Sequence, residues 1–135
     1  MKIMICHDGS QNAQNALEKT LTLFKSMKPE IILLTVVDEP HDASWASEEV
    51  FKPWKEARET LLREKAKEIS SQGFAVDAML ATGDPRQMIL EAAKKKNPDI
   101  LIVGKRGAGR LPKMTLGSVS AFLVRHALCP VLIFH

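Results

Sequence analysis

The sequence predicts an α/β fold whose five-stranded, mainly parallel sheet is doubly wound, with helices on both faces. Short apolar runs of β character alternate with longer stretches in which apolar residues recur every three or four positions. The chain has 135 residues, of which 45% are hydrophobic and 26% charged, and these values are ordinary for one globular domain. We therefore predict a single domain over residues 1–135 whose core needs neither a metal nor a disulfide.

The first strand and the first helix are predicted from a change of apolar period after Lys2–His7, which has the character of a strand. In the following stretch, the spacing of the apolar residues places one face of a helix on the sheet. That face consists of Ala13, Ala16, Leu17, Thr20, Leu21 and Phe24. Because proline disfavours helical geometry in the residue before it, the Lys28-Pro29 pair is predicted to close this helix.

The next two strands are predicted at Glu30–Val37 and Ala75–Ala81, with an amphipathic helix between them that Gly73 is placed to end. Its apolar side carries Trp54, Ala57, Leu61, Leu62, Ala66 and Ile69, and its polar side carries Lys55, Glu56, Arg58, Glu59 and Arg63. The irregular segment from Asp38 to about Val50 is long, and loops of this length are usually functional or mobile.

The remaining elements are a third helix, a fourth strand at Asp99–Gly104, a fourth helix from about Ser118 to His126 and a last strand at Val131–His135. The third helix is marked by Met88, Ile89, Ala92 and Ala93, and we interpret its final lysines, Lys94 to Lys96, as a solvated helix end. Ligands of doubly wound sheets bind at the carboxyl ends of the strands where the winding reverses. This rule predicts a site built from the segments after His7 and Val103.

Composition excludes several classes of function. Cys6 and Cys129 form no CxxC pair, so a metal or thioredoxin-like site is not expected, and their predicted places in the sheet are too far apart for an intramolecular disulfide. The net charge of +3, the lack of tyrosine and the absence of aromatic-basic interleaving make nucleic acid an improbable partner.

The apolar stretches are too short to form a membrane span. The longest are Ile31–Val37 and Ile100–Val103, whereas crossing a bilayer takes ~20 residues. The first residues are not followed by an apolar region with a cleavage site, because His7-Asp8 interrupts them. We therefore expect no membrane association and a cytoplasmic location.

The segment after the fourth strand has the composition of an anion-binding loop. It contains Gly104, Gly107 and Gly109 and four basic residues, Lys105, Arg106, Arg110 and Lys113, with no acidic residue before the helix at Ser118. Glycines let backbone N–H groups approach a phosphate, and the helix start adds free N–H groups and the positive dipole end. The structural alternative is that these glycines only form turns and Ser118 only caps the helix.

Two general nucleotide motifs are absent. Gly104 and Gly109 have P-loop spacing but are followed by Arg110-Leu111 instead of Lys-Ser/Thr, and Pro112 stands where a dinucleotide fingerprint needs its third glycine. Asp8, at the end of the first strand, has two alternative roles: it can accept from ribose hydroxyls or hold Mg²⁺, or it can form an N-cap or Asx-turn for the first helix.

The spacing Gly104-x2-Gly107-x9-Gly117-Ser118 resembles the nucleotide-binding signature of the universal stress protein family. The likeness covers the whole chain, since it includes Asp8-Gly9-Ser10, Thr35–Asp38, Gly83-Asp84-Pro85 and Cys129–Ile133. It implies the adenine-nucleotide alpha-hydrolase-like fold with strand order 3-2-1-4-5 and a homodimer paired through the last strand. It also implies binding of ATP, or of AMP or ADP, with Mg²⁺ as a candidate companion ion.

Carried over residue by residue, the resemblance places Asp8 near the ribose and phosphates, where it is also the candidate Mg²⁺ contact, and Val37 against the adenine. The residues implied to bind the nucleotide are Cys6, His7, Asp8, Val37, Val103, Gly104, Gly107, Gly117, Ser118, Val119 and Ser120. Backbone groups of Cys6 and Val37 are suited to read the adenine edge. His7 departs from the small or β-branched residue that the family more often has, and this departure predicts a narrowed adenine side.

Two functions follow from this resemblance. The first is a nucleotide-dependent regulatory module in stress response with little or slow ATP hydrolysis, because beyond Asp8 no acidic residue is placed to orient water. The alternative is the same fold acting through protein contacts without a nucleotide. A triad of His7, Asp8 and Ser10 is rejected, since adjacent strand residues point to opposite faces, and no catalytic residue is assigned.

Overall fold

The chain forms a five-stranded sheet in which every neighbouring pair of strands is parallel. The computed structural model describes residues 1–38, 48–105 and 116–135. The strands are β1 (Lys2–Cys6), β2 (Glu30–Asp38), β3 (Val76–Gly83), β4 (Ile100–Gly104) and β5 (Val131–Phe134). Their order is β3-β2-β1-β4-β5, so the predicted fold class and strand order are confirmed.

In the part of the chain that the structure describes, four α-helices connect the strands: α1 (Gln11–Leu23), α2 (Glu48–Ser71), α3 (Pro85–Lys96) and α4 (Ser118–His126). Alternate strand residues face opposite sides of the sheet, and each side builds its own core. Ile3, Ile5 and Ile31 pack with α1 and α2, whereas Met4 and Ile32 pack with α3 and α4. The sheet is therefore doubly wound, as predicted. Within the described ranges, no helix is long and apolar enough to span a bilayer.

The buried face of α1 is the predicted one, but the helix ends earlier than predicted. Its buried residues are Ala13, Ala16, Leu17, Thr20 and Leu21. The α-helix stops at Leu23, and a 3₁₀ turn over Lys25–Met27 leads to Lys28, whose φ of 45° is left-handed. Proline at position 29 excludes helical geometry from Lys28, and the chain tightens into the 3₁₀ turn before that point is reached.

The predicted apolar side of α2 is wrong in the first half of the helix. Trp54 is 50% exposed and Ala57 is also exposed, whereas Leu62, Ala66 and Ile69 pack into the core. The spacing of apolar residues shows which side chains lie on one face of α2. That face contacts the core only in the second half of the helix.

Both ends of α3 carry local stabilising contacts. Asp84 caps its start by accepting from the Arg86 N–H, and Pro85 occupies the first turn. At its other end, Lys96 Nζ lies 2.8 Å from the Asp77 carboxylate on β3. The last of the three lysines is therefore tied to the sheet, a contact that the interpretation as a solvated end did not include.

Candidate functional site

A cavity of about 320 Å³ lies at the carboxyl ends of β1, β2 and β4, where the winding of the sheet reverses. This is the place at which open parallel sheets bind ligands. The lining residues come from β1 and its end (Cys6, His7, Asp8), β2 (Leu34, Val36, Asp38), β4 (Val103, Gly104), the start of α1 (Ser10, Ala13), α2 (Arg58), α3 (Pro85, Ile89) and the start of α4 (Gly117, Ser118, Val119, Ser120).

Nine of the predicted site residues line this pocket. They are Cys6, His7, Asp8, Val103, Gly104, Gly117, Ser118, Val119 and Ser120. Gly107 lies outside the described residues, as do Arg106, Arg110 and Lys113 of the basic segment and residues 39–47 of the long predicted loop. Segments far apart in the sequence are thus brought together at one edge of the sheet.

Val37 is not among the lining residues, and its two neighbours are. Because strand residues alternate, Val37 is buried on the side of β2 that faces α1 and α2, while Val36 and Asp38 face the pocket. The valine side chain that faces the pocket here is therefore that of Val36, and a contact of Val37 with a ligand would have to use its backbone groups.

The start of α4 brings to the pocket backbone N–H groups that have no acceptor within the helix. Its N-cap is Gly117, which has no side chain to bond the first turn, and the next three residues all line the pocket. In the first turn of a helix the N–H groups have no intrahelical acceptor, and the macrodipole adds about half a positive charge. This end of α4 is therefore built to bind an anion.

The hydroxyl group of Ser120 joins the two ends of the predicted glycine-rich segment. Its Oγ lies 3.2 Å from the carbonyl oxygen of Gly104 and 3.3 Å from that of Lys105, to which it donates. The Gly117 N–H also donates to the Lys105 carbonyl, over 3.4 Å. The ends of β4 and α4 are thus held together beside the pocket, and the Ser120 proton is engaged in that contact.

Both roles considered for Asp8 are compatible with its geometry. Its Oδ1 accepts from the Ser10 N–H over 2.9 Å, as in an Asx-turn, while Ser10 itself caps α1 by accepting from Ala13 N–H. Asp8 is nevertheless exposed and lines the pocket. A guanidinium N–H of Arg58 donates to the backbone carbonyl of Asp8, so α2 also contacts this turn.

The ring of His7 is buried and uses both nitrogens. Its Nδ1 accepts from the Gly9 N–H over 3.0 Å, so the ring proton must be on Nε2, which lies 3.1 Å from Gln14 Oε1. Gln14 in turn donates to Glu18 and Glu68, each over 3.0 Å. Burial lowers the pKa of His7, and nearby Lys65 lowers it further, while the Gln14 hydrogen bond, Asp8 and Glu68 partly oppose this.

Acidification is expected to destabilise the protein through His7. The unfolded imidazole titrates near pH 6.5 and the folded one lower, so between these values the unfolded chain binds more protons. The contribution is complete above pH 6.5 and falls as the pH decreases. Urea unfolding from pH 7.5 to 5 should show a steeper loss for wild type than for His7→Asn, and equal slopes for the two proteins would contradict this assignment.

The cysteines are free thiols. Burial, together with the charge of Asp8, raises the pKa of Cys6 to about 12, so this pocket residue stays a neutral thiol at ordinary pH. Burial also raises the pKa of Cys129. Among the residues that the structure describes, no three His, Cys, Asp or Glu side chains are grouped as metal ligands would be.

Sequence reasoning missed several pocket residues. Val36 and Asp38 could have been identified from strand alternation, once the pocket face of β2 was known. Arg58 had no such signal, since it lies among the charged residues of α2 that the helical period places on the polar side. Pro85 and Ile89 line the pocket because α3 packs against β2.

Comparisons with known proteins agree with this fold. The family model described as universal stress protein family matches residues 1–135. A universal stress protein A-like protein of Arabidopsis thaliana is 38% identical over 76% of this chain, which spans 63% of that relative's length.

Two solved structures are similar throughout. Hypothetical protein MJ0577 is 28% identical, with a TM-score of 0.89 over 98% of this chain and 94% of that one. A universal stress protein family protein from Arabidopsis thaliana, solved with AMP bound, is 29% identical, with a TM-score of 0.73 over 99% of this chain and 90% of that one. By its sequence and fold, this chain belongs to the universal stress protein family.

Proposed function

We propose that this chain binds an adenine nucleotide (ATP, ADP or AMP) and acts as a nucleotide-dependent regulatory module in stress response. The observation that carries the proposal is the start of α4, where three residues whose N–H groups have no acceptor within the helix line a pocket that also has an apolar wall. The AMP bound to the related Arabidopsis protein supports the choice of an adenine nucleotide.

The pocket divides into parts that suit the three parts of a nucleotide. Leu34, Val36 and Ile89 offer an apolar surface to a purine ring, with Cys6 beside them in the lining. Backbone groups of Cys6 and of Val37, the residue between Val36 and Asp38, are the proposed partners of the purine edge. Asp8, exposed at the end of β1, is suited to accept from ribose hydroxyls. The phosphates then reach the N–H groups of Ser118, Val119 and Ser120.

Mg²⁺ fits this site only as a companion of the phosphates. The pocket brings two carboxylates, Asp8 and Asp38, to one lining, and Mg²⁺ prefers oxygen ligands. If both carboxylates bound the ion, phosphate oxygens and water would still have to supply most of the six oxygen ligands of Mg²⁺. In this proposal the ion would neutralise phosphate charge, with Asp8 as its protein contact.

Hydrolysis of ATP is still expected to be slow, but not because Asp8 is the one acidic residue at the site. Asp38 also lines the pocket, so that premise of the sequence analysis was wrong and the expectation rests on His7. The imidazole of His7 is not available as a base, since Nδ1 already accepts from Gly9 and Nε2 faces the Gln14 oxygen. The described residues therefore offer a site for holding a nucleotide better than one for activating water.

Pairing of two copies through β5 is part of the proposal. β5 is an edge strand of the sheet, with one side of its backbone unpaired by the described strands. Leu128, just before it, is 87% exposed, and Val124 on α4 is 53% exposed. A second copy adding its own β5 would satisfy the strand edge and cover part of this apolar surface.

The nucleotide site is tested by calorimetric titration of nucleotide-free protein with AMP, ADP and ATP. Val36→Trp places a large ring in the apolar part of the cavity and is expected to abolish detectable binding. Leu23→Trp makes a comparable change at an exposed position at the end of α1, outside both the pocket and the proposed pairing surface, and should bind like wild type. A folded wild type that binds none of the three would favour the alternative, a family member that acts through protein contacts alone.

A further inference from the structure

The turn that carries Asp8 is held by two residues that also line the pocket, His7 and Arg58. Gly9 adopts a φ of +87°, which L side chains rarely adopt, and its N–H donates to Nδ1 of His7 over 3.0 Å. The carbonyl of Asp8 accepts from Arg58 on α2. The carbonyl and the N–H of the single Asp8–Gly9 peptide group are thus both hydrogen-bonded, the first to Arg58 and the second to His7.

The imidazole that holds Gly9 is itself fixed in orientation. The His7 residue is only 3% exposed, and its Nε2 lies 3.1 Å from Gln14 Oε1 on α1. The amide of Gln14 continues to Glu68 on α2, whose other carboxylate oxygen lies 3.4 Å from Lys65 Nζ. The backbone carbonyl of His7 accepts from the buried Thr35 hydroxyl on β2 over 3.1 Å. The ring therefore has one tautomer and one orientation.

We propose that His7 is a positioning residue for nucleotide binding: it holds the Asp8–Gly9 turn so that the Asp8 carboxylate is presented to the ribose hydroxyls. The inference rests on the proposed function and deepens it. Without the acceptor at Nδ1, the Gly9 N–H loses its partner and the turn gains freedom, so Asp8 must be ordered when the ligand binds. In this proposal the imidazole acts through Asp8, because its two nitrogens are engaged with Gly9 and Gln14 and not with the nucleotide.

A matched pair of variants isolates the hydrogen bond to Gly9. In His7→Asn, the side-chain oxygen is bonded to Cγ, as Nδ1 is in histidine, so it can accept from the Gly9 N–H. In His7→Leu, a methyl group takes that place and nothing accepts. Both variants lose the contact with Gln14, so the difference between them reports the Gly9 bond and not the general cost of altering a buried residue.

A matched pair of ligands separates positioning of Asp8 from a purely structural role. ATP carries the ribose hydroxyls that Asp8 is proposed to bind, and 2′,3′-dideoxy-ATP lacks them. We expect His7→Leu to weaken ATP about tenfold, the amount typical of one lost charge-assisted hydrogen bond. The same variant should leave dideoxy-ATP within twofold of wild type, and His7→Asn should bind both nucleotides nearly as wild type does.

Equal weakening of ATP by both variants, or weakening of both ligands alike by His7→Leu, would overturn the inference while leaving nucleotide binding intact. Failure of folded wild type to bind either ligand would instead overturn the proposed function and this inference with it. A second readout needs no variant: ¹⁵N spectra of wild-type protein should show an unprotonated Nδ1 on His7 coupled to the Gly9 amide. A protonated Nδ1 would also overturn it.

Discussion

Gly104→Ala is expected to lower the free energy of unfolding by about 3 kcal/mol, the upper range for forcing atoms into a packed interior, and to abolish nucleotide binding. An added Cβ would lie 2.8 Å from the carbonyl carbon and oxygen of Asn12 and 3.0 Å from the nitrogen of Ala13. These are backbone atoms in the first turn of α1, so they cannot rotate aside as a side chain can. The end of β4 and the start of α1 must separate, and both line the pocket.

Urea unfolding and calorimetric titration of the same sample check this prediction. Gly73→Ala is the control, because a Cβ there meets nothing within 4 Å, although the φ of +90° is unfavourable for alanine. Through this strain, Gly73→Ala should lower the free energy of unfolding by about 1 to 2 kcal/mol and leave nucleotide binding unchanged. A Gly104→Ala protein that is no less stable than Gly73→Ala, and still binds nucleotide, would show that β4 and α1 are not in this close contact.

Ser118→Glu is expected to weaken ATP binding about 100-fold without loss of stability. Ser118 is the first residue of α4, is exposed and lines the pocket. A carboxylate at this position stabilises the helix through the macrodipole. It also repels the phosphates, by about 3 kcal/mol at the separations and effective dielectric expected near a protein surface. Binding and folding should therefore change in different directions.

The matched control for this charge is Ser118→Gln, which has nearly the same shape and no charge. It should bind ATP within a few-fold of wild type. The loss caused by Ser118→Glu should also shrink from ATP to AMP, because the ligand charge decreases. If the glutamate and glutamine variants bind ATP equally, the phosphates do not lie at the start of α4.

The fold could be predicted from local patterns because the patterns of this chain are consistent with its tertiary structure. The strands are found within two residues of their expected bounds, and α4 has the expected ones, Ser118–His126. The α1 face was correct since helical period alone determines which residues are on one side. The helical period does not determine what part of a helix's length contacts the sheet. The exposure of Trp54 and Ala57, in the first half of α2, was therefore not predicted.

The candidate site was predictable where it is formed by strand ends and by the glycine motif. It was not predictable where it depends on which of two successive strand residues faces the pocket, or on side chains from a distant helix. Val36 lies on the side of β2 that packs with α3 and α4, and the pocket opens on that side. Val36 therefore faces the pocket and Val37 does not. Arg58 reaches the site from a helix whose sequence shows only a charged surface. The sequence could not show that His7 accepts from Gly9 and donates to Gln14, because both contacts depend on where these residues lie in the folded chain.

The central claim, that the phosphates of an adenine nucleotide bind the first turn of α4, is tested most directly by backbone amide NMR shifts. ¹⁵N-labelled, nucleotide-free protein is titrated with adenosine, AMP and ATP. The account predicts saturable shifts of the Ser118, Val119 and Ser120 amides with AMP and ATP, and much smaller ones with adenosine. It is contradicted if these amides do not respond, or if they respond equally to adenosine.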